Sequence, residues 1–402
     1  VNGDGFADVL IGAYRADPGG QSRAGSAYVV YGEATGAITR NGTVGGDLMR
    51  GGAFNDSLTG LGGADTLRGN DGDDTLNGGA LADLLEGGDG GDSLIGGAGA
   101  DTLDGGAGGQ DIASYASSIG AVAVYAAMPS SSTGDAAGDV FIGIEAWSLA
   151  DLAGVADTFF GGTAGETVYA NAGNDVLFGN GGNDLLFGDA GDDFLLGGAG
   201  ADALNGGAGF DAVFYGDSTV AISLNLATGV HTGFAAGDGF AFIEAFLMTE
   251  QGDTVIGVDN AAAGDILYGL GGADSLVGQG GFDYLLGGDG ADTLVGGFGW
   301  DLQIGGAGAD RFVYETGGQG GNGEVISDFQ VGVDKIAFVT ATSGIAGFTL
   351  GQNLLIQAGA PTGSQGATTG PTLYYDATGG LLWFDTNGST AGGLIYLAGL
   401  TG

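Results

Sequence analysis

An acidic residue recurs every nine positions through most of this 402-residue chain. It stands at Asp47, Asp56, Asp65, Asp74, Asp83, Asp92 and Asp101, then at Asp157, Asp175, Asp184, Asp193, Asp202 and Asp211, with Glu166 in the same slot. A third block has Asp265, Asp274, Asp283, Asp292, Asp301 and Asp310. A large apolar residue follows two places later in nearly every copy, as at Leu58, Leu67 and Leu103, and glycines fill the gaps. Nineteen of the 41 aspartates thus share one position of the repeat G-G-x-G-x-D-x-U-x (U apolar), which chance spacing does not produce.

Each repeat has room for a three-residue strand, such as Thr102-Leu103-Asp104 with its central side chain inward, and a six-residue turn. Glycine suits the turn because it adopts positive φ at no steric cost and lets a ligand approach the backbone. Coils stacked about 4.8 Å apart set equivalent carboxylates in a column. At an effective dielectric near 20, two such charges repel by about 3.5 kcal/mol. A divalent cation between coils reverses that sign. Calcium fits best, since it takes six to eight carboxylate and carbonyl oxygens in flexible geometry, whereas magnesium demands a tight octahedron.

Composition narrows the chemistry. A net charge of −42, with six Arg and the single Lys335, excludes nucleic-acid binding. The absence of Cys removes disulfides and thiolate chemistry. His231, the one histidine, reads as an exposed loop residue rather than a catalytic base. The apolar runs, such as residues 121–128, fall far short of the roughly 20 residues of a membrane helix, so no membrane insertion is expected. The expectation is a non-enzyme.

On these repeats the chain resembles the RTX (repeats-in-toxin) family of secreted calcium-binding proteins. The resemblance implies an all-β fold, a parallel β-roll with two nonapeptides per turn and calcium between coils. It also implies that the nineteen repeat aspartates supply carboxylate oxygens and the glycine turns supply carbonyls. About 15–20 calcium ions would follow from shared carboxylate coordination. Several copies depart from the pattern. Phe54 and Leu81 replace the fourth-position glycine, so the turns before Asp56 and Asp83 are expected to bind weakly; Gln110 inserts one residue, and Gln303 in an inward slot suggests an irregular last coil.

The pattern divides the chain into a partial repeat or β cap at 1–41, roll blocks at 42–113, 152–214 and 253–313, inserts at 114–151 and 215–252, and a C-terminal domain at 314–402. The inserts match one another: residues 111–115 answer 211–215, Gly138-Asp139 answers Gly237-Asp238, and Glu145 answers Glu244. Alternating apolar positions (Val122, Val124; Ile222, Leu224, Leu226) predict half-buried strands, read as small β-lobes on the roll. Structural repetition explains Glu145 and Glu244 better than a catalytic pair does. Residues 128–133 read as a loose loop.

Residues 1–13 resemble the FG-GAP repeat of integrin-type propellers, which implies calcium ligands at Asn2, Asp4 and Asp8 with a Phe6 carbonyl. One blade cannot close a propeller, so a polypeptide extending upstream of Val1 is expected, or a retained β cap. Residues 308–314 and 326–336 resemble the C-terminal domain of serralysin-type proteins, which caps the roll and carries a type I secretion signal. Residues 373–385 read as aromatic hairpin strands.

The first functional reading is a secreted structural or adhesive protein of a bacterial surface layer, filament or matrix. The second is the secretion and folding module of an extracellular enzyme, a protease or polysaccharide-modifying enzyme, whose catalytic domain lies upstream. A soluble calcium buffer is a third. Expected partners are calcium, further copies of the chain in sheets or filaments or a cell-surface polysaccharide, and a type I exporter.

Overall fold

An inward apolar residue flanked by outward ones, then a glycine turn, is a unit that cannot bury its apolar side chain alone; stacking such units makes the core. The computed structural model describes residues 9–12, 27–30, 36–259, 264–315, 324–330, 333–339, 354–357, 372–376, 381–385 and 394–400. The chain divides into the units Val1–Asp193 and Phe194–Gly402, each a parallel β-solenoid. Among the described residues no helix is long and apolar enough to cross a membrane.

In the first unit successive nonapeptides alternate between two facing sheets. One stacks Leu48–Arg50, Thr66–Asp71, Leu84–Gly90 and Thr102–Gly108; the other stacks Thr39–Asn41, Ser57–Thr59, Thr75–Ala80, Ser93–Ala98 and Ile112–Ser114. Strands pair in parallel 18 residues apart, as in Leu67↔Leu85 and Leu85↔Leu103, and 19 apart where Ser93 meets Ile112. Leu58, Leu67, Leu76, Leu85, Leu94 and Leu103 are fully buried between the sheets. The ladders run longer than the expected three residues, because the turns also pair: Gly106↔Gly88, Ala107↔Asp89 and Gly108↔Gly90. Missing Cβ atoms let turn backbones approach as closely as strands.

The insert at 114–151 contributes its strands to these sheets. Val140–Ile142 pairs with Thr102–Gly108, and Ala146–Ser148 continues from Ile112–Ser114. Ala123–Tyr125 opens a further sheet through Thr158–Phe160 and Val176–Phe178. Val122 and Val124 are buried, as the alternation predicts. The stretch read as a loose loop is a built turn: Pro129–Ser131 is a 3-10 helix, and Ser132 Oγ, in a buried residue, accepts the Tyr125 amide.

In the second unit one sheet runs Phe194–Leu196, Ala212–Phe214, Ala245–Leu247, Ile266–Tyr268, Tyr284–Gly290, Leu302–Gly308 and Glu324–Ile326. The other holds Ser223–Asn225, Thr254–Ile256, Ser275–Gly281, Thr293–Gly299, Arg311–Glu315 and Lys335–Val339. Gln303 does not break the last coil. It is fully buried and stays in register with Leu285. Leu394–Leu400 joins Glu324–Ile326 in parallel, and Leu381–Asp385 and Thr372–Asp376 follow antiparallel. The pairing expected of the C-terminal aromatic strands is present. At the N-terminus, Val9–Gly12 pairs antiparallel with Ala27–Val30.

Candidate metal centre

The repeat aspartates form hydrogen-bonded ladders. The amide of each donates to Oδ1 of the aspartate one coil on: Asp47 to Asp65 (2.7 Å), Asp56 to Asp74 (2.6 Å), Asp65 to Asp83 (2.7 Å) and Asp74 to Asp92 (2.8 Å). Asp175 accepts from Asp157, and in the second unit Asp283, Asp292, Asp301 and Asp310 accept in the same way. Asp184 accepts from Glu166 and Asp193 from Asp175, while Asp202 and Asp211 donate to Asp238 and Glu244. One oxygen of each carboxylate is thereby a structural acceptor.

The second oxygen is the informative one. Oδ2 of Asp65, Asp74, Asp83, Asp92, Asp101, Asp175, Asp274, Asp283, Asp292 and Asp310 is buried and accepts no hydrogen bond. All but Asp175 face the first glycine of their own repeat; before Asp175 that position is held by Ala170. A Cβ built on Gly60 would meet both Asp65 Oδ2 and, at 2.5 Å, the Gly78 carbonyl. The same trio recurs as Gly69 with Asp74 and Gly87, Gly87 with Asp92 and Gly105, Gly269 with Asp274 and Gly287, and Gly278 with Asp283 and Gly296. Two buried oxygens converging with no hydrogen between them cost free energy unless a cation joins them. At the glycine positions the gap stays open because a Cβ there would stand between carboxylate and carbonyl.

Burial raises these carboxylates above the ordinary range, to about 7 at Asp74, Asp175, Asp274 and Asp283 and about 6 at Asp83, Asp92 and Asp101. Neighbouring ladder carboxylates add to the rise, while the accepted amide opposes it. Glu166, in the aspartate slot beside Asp184, is pushed to about 8, first by burial. A cation would relieve both causes together. Among the described residues no three Asp, Glu or His side chains converge on one point. An ion here therefore draws most of its oxygens from backbone carbonyls and water, which suits calcium and leaves softer metals no nitrogen or sulfur.

Not every repeat aspartate leaves Oδ2 open. Asp157 accepts Val122 and Ala150 amides, one on each oxygen (2.7 and 2.8 Å). Asp56 accepts Ile38 and Gly52, Asp47 accepts Thr43, and Asp265 Oδ2 accepts Val258. These four stand at the start of a ladder or directly after an interruption. The two glycine replacements also separate. Asp56, behind Phe54, has its Oδ2 bonded by an amide, whereas Asp83, behind Leu81, keeps the open oxygen of a regular coil because Leu81 itself adopts φ +73°.

The nine-residue count misses further ladder members. Asp101 donates to Asp139 Oδ1 (2.8 Å) and Asp202 to Asp238 Oδ1 (3.0 Å), across 38 and 36 residues. Their Oδ2 atoms accept the hydroxyls of the buried Tyr115 (2.7 Å) and Tyr215 (2.6 Å). Burial, and the carboxylate alongside, raises both phenols, so they remain donors. Glu145 and Glu244 fill ladder slots for Asp111 and Asp211, which accounts for their recurrence. Asp253 accepts Ile222 and Thr249 amides, and Asp334 accepts Asp310 and Gln330. The matched Gly-Asp pairs of the two inserts were the available signal for Asp139 and Asp238.

His231 is not the exposed loop residue expected. It is buried against Phe240, its Nδ1 accepts the Asn225 amide (3.2 Å), and burial lowers its pKa. A packed, neutral histidine satisfies the turn backbone. Asn2, Asp4, Phe6 and Asp8 lie outside the described residues.

Fold and ladder together define an acidic parallel β-solenoid in which each regular coil presents a carboxylate–carbonyl pair to a cation. The RTX calcium-binding nonapeptide repeat matches residues 41–76, 77–109, 160–195, 179–213, 262–285, 268–303 and 277–312, and the FG-GAP repeat matches residues 1–30. The chain carries RTX calcium-binding repeats, with an FG-GAP repeat at its N-terminus. RTX nonapeptides bind calcium, so their recurrence here gives the chain many calcium ions. No curated protein matches the chain.

Proposed function

We propose that this chain is the calcium-rigidified body of a secreted bacterial structural or adhesive protein, part of a surface layer, extracellular filament or matrix. The observation that carries the reading is the recurrence of one open carboxylate oxygen opposite one glycine carbonyl, coil after coil. In this reading Oδ2 of Asp65, Asp74, Asp83, Asp92, Asp101, Asp175, Asp274, Asp283, Asp292 and Asp310 and the facing carbonyls hold calcium. Asp184, Asp193, Asp202, Asp211 and Asp301 occupy equivalent slots and are assigned with them. Asn2, Asp4 and Asp8 are proposed ligands on the FG-GAP match alone.

Calcium would also time the folding. At submicromolar cytosolic calcium the carboxylate columns oppose closure and the chain stays extended for a type I exporter; millimolar external calcium then supplies the folding free energy. Electron microscopy of the protein with and without calcium tests the assembly role. Ordered sheets or fibres that dissolve on chelation are expected, and particles that stay monodisperse in calcium at every concentration defeat it.

A further inference from the structure

Among the acidic repeat slots Glu166 alone is not aspartate. It opens a ladder after the first insert. The strand that follows it, Thr167–Tyr169, pairs upstream with the insert strand Ala146–Ser148, and its own amide donates to Asp184 Oδ1 (2.8 Å) one coil on. At ladder ends and interruptions an aspartate is closed from within its own turn, by the amide four residues back. Oδ2 of Asp47 accepts Thr43 (2.6 Å), that of Asp56 accepts Gly52 (2.5 Å), that of Asp253 accepts Thr249 (2.8 Å) and that of Asp334 accepts Gln330 (2.6 Å).

Glu166 meets the same amide differently. Gly162, four residues back, donates to Oε1 (3.3 Å), while Oε2 is buried and accepts no hydrogen bond. The residue is only 6% exposed, so the second oxygen has no water to turn to. It faces the partner that the open oxygens of the regular coils face: a Cβ built on Gly161 would meet Glu166 Oε2 at 2.8 Å and, beside it, the Gly179 carbonyl. The extra methylene makes this possible. One oxygen satisfies the turn amide and the other still reaches the gap, whereas at Asp56 the oxygen facing the gap is the one the amide takes.

A second carboxylate borders the same gap. Asp184 stands within hydrogen-bonding reach of Glu166, whereas at Asp74 and Asp283 neighbouring carboxylates act through charge alone. Residues 69–310 hold neither Lys nor Arg, so no basic side chain of this stretch offsets the pair. Buried like charges in contact are costly unless a cation joins them, and calcium takes carboxylate and carbonyl oxygens together. We infer that Glu166 is a calcium ligand, holding an ion between its Oε2, the Gly179 carbonyl and the Asp184 carboxylate. The inference rests on the carboxylate–carbonyl reading of the regular coils and is independent of whether the chain assembles. It also runs against the repeat. The aspartate that every other slot carries would lose the ion here, because its shorter side chain would give Gly162 the oxygen that faces Gly179.

The test is a crystal structure of the full chain grown in calcium, with native mass spectrometry in calcium to count ions on the wild type, Glu166→Asp and Glu166→Ala. The wild-type structure is expected to show an ion within about 2.3–2.6 Å of both Glu166 Oε2 and the Gly179 carbonyl. Each variant should carry one ion fewer than wild type. Circular dichroism in calcium shows whether each variant folds; if the alanine variant does not, the aspartate variant and the wild-type structure decide. A wild-type structure with ions at the regular coils and none at Glu166 overturns the inference alone. So does either folded variant that keeps the wild-type count. A wild-type structure with no ion at any coil overturns the carboxylate–carbonyl reading as well.

Discussion

In a regular coil the second carboxylate oxygen of the ladder aspartate faces a glycine carbonyl; in each insert coil a tyrosine hydroxyl donates to it. Asp83 and Asp139 belong to one hydrogen-bonded column, Asp83 to Asp101 to Asp139, yet only Asp139 has Tyr115 to close it. The backbone solves one problem in two ways. At the open aspartates no group of the chain donates to that oxygen, so the compensating positive charge is expected from outside. Where the coil is lengthened by an insert, there is chain enough to return a phenol. At Asp139 and Asp238 the phenol hydroxyl thus stands where the regular coils leave the oxygen open.

The largest effect expected from this contrast follows calcium removal. A chelator should abolish the cooperative far-UV β signal of the regular coils, since each site filled at a thousand times its dissociation constant contributes about 4 kcal/mol. A calcium-free sample with full cooperative β-structure would falsify the ion-dependent half of the comparison.

Acidification should partly replace the ion. The ladder aspartates have folded-state pKa values raised from 3.8 to about 6 or 7. Their stabilisation of the metal-free fold is therefore complete below about pH 4 and lost as pH rises through 6 to 7. Circular dichroism of the chelated chain should show β-structure gained between pH 7.5 and 4.5. A flat profile, or one rising toward alkaline pH, contradicts the assignment of burial as the main cause.

Within the ladder, Asp283→Asn and Asp157→Asn should part company. Asp283 presents an open oxygen, and its replacement should lower the calcium count by at least one ion in calorimetric titration. Asp157 accepts amides on both oxygens, so its replacement should lower thermal stability while leaving the count unchanged. Equal counts for the two variants would erase the distinction between open and bonded carboxylates.

The smallest effect is the sharpest. Tyr115→Phe strands Asp139 Oδ2 without its donor and should destabilise the chain by about 1–3 kcal/mol in saturating calcium. A rise of one bound calcium in this variant would mean that the phenol stands where an ion otherwise binds. A variant unchanged in both stability and count would show that the phenol bond contributes nothing.

Much of this was legible in sequence because one side-chain period carried it. The inward leucines, the glycine turns and the ladder positions all follow from the nine-residue phase, since strand alternation and stacking leave each position one environment. Legibility ended where spacing changed. Asp139 and Asp238 stand 38 and 36 residues from their ladder partners, so no fixed count reaches them. His231 looked exposed because its neighbours are turn residues, whereas the insert folds Phe240 over it. Gln303 looked disruptive because its slot is inward, but backbone pairing on both sides holds the register.

The residue period by itself determined a stack of short strands and glycine turns whose carboxylates call for a divalent cation, because repulsion between stacked carboxylates is a property of spacing and charge. Only the tertiary structure decided which carboxylates remain open and which are closed by amides or by Tyr115 and Tyr215. Those outcomes depend on groups distant in sequence arriving at one point, and a repeat that looks identical along the chain meets different neighbours at its ends and at its interruptions.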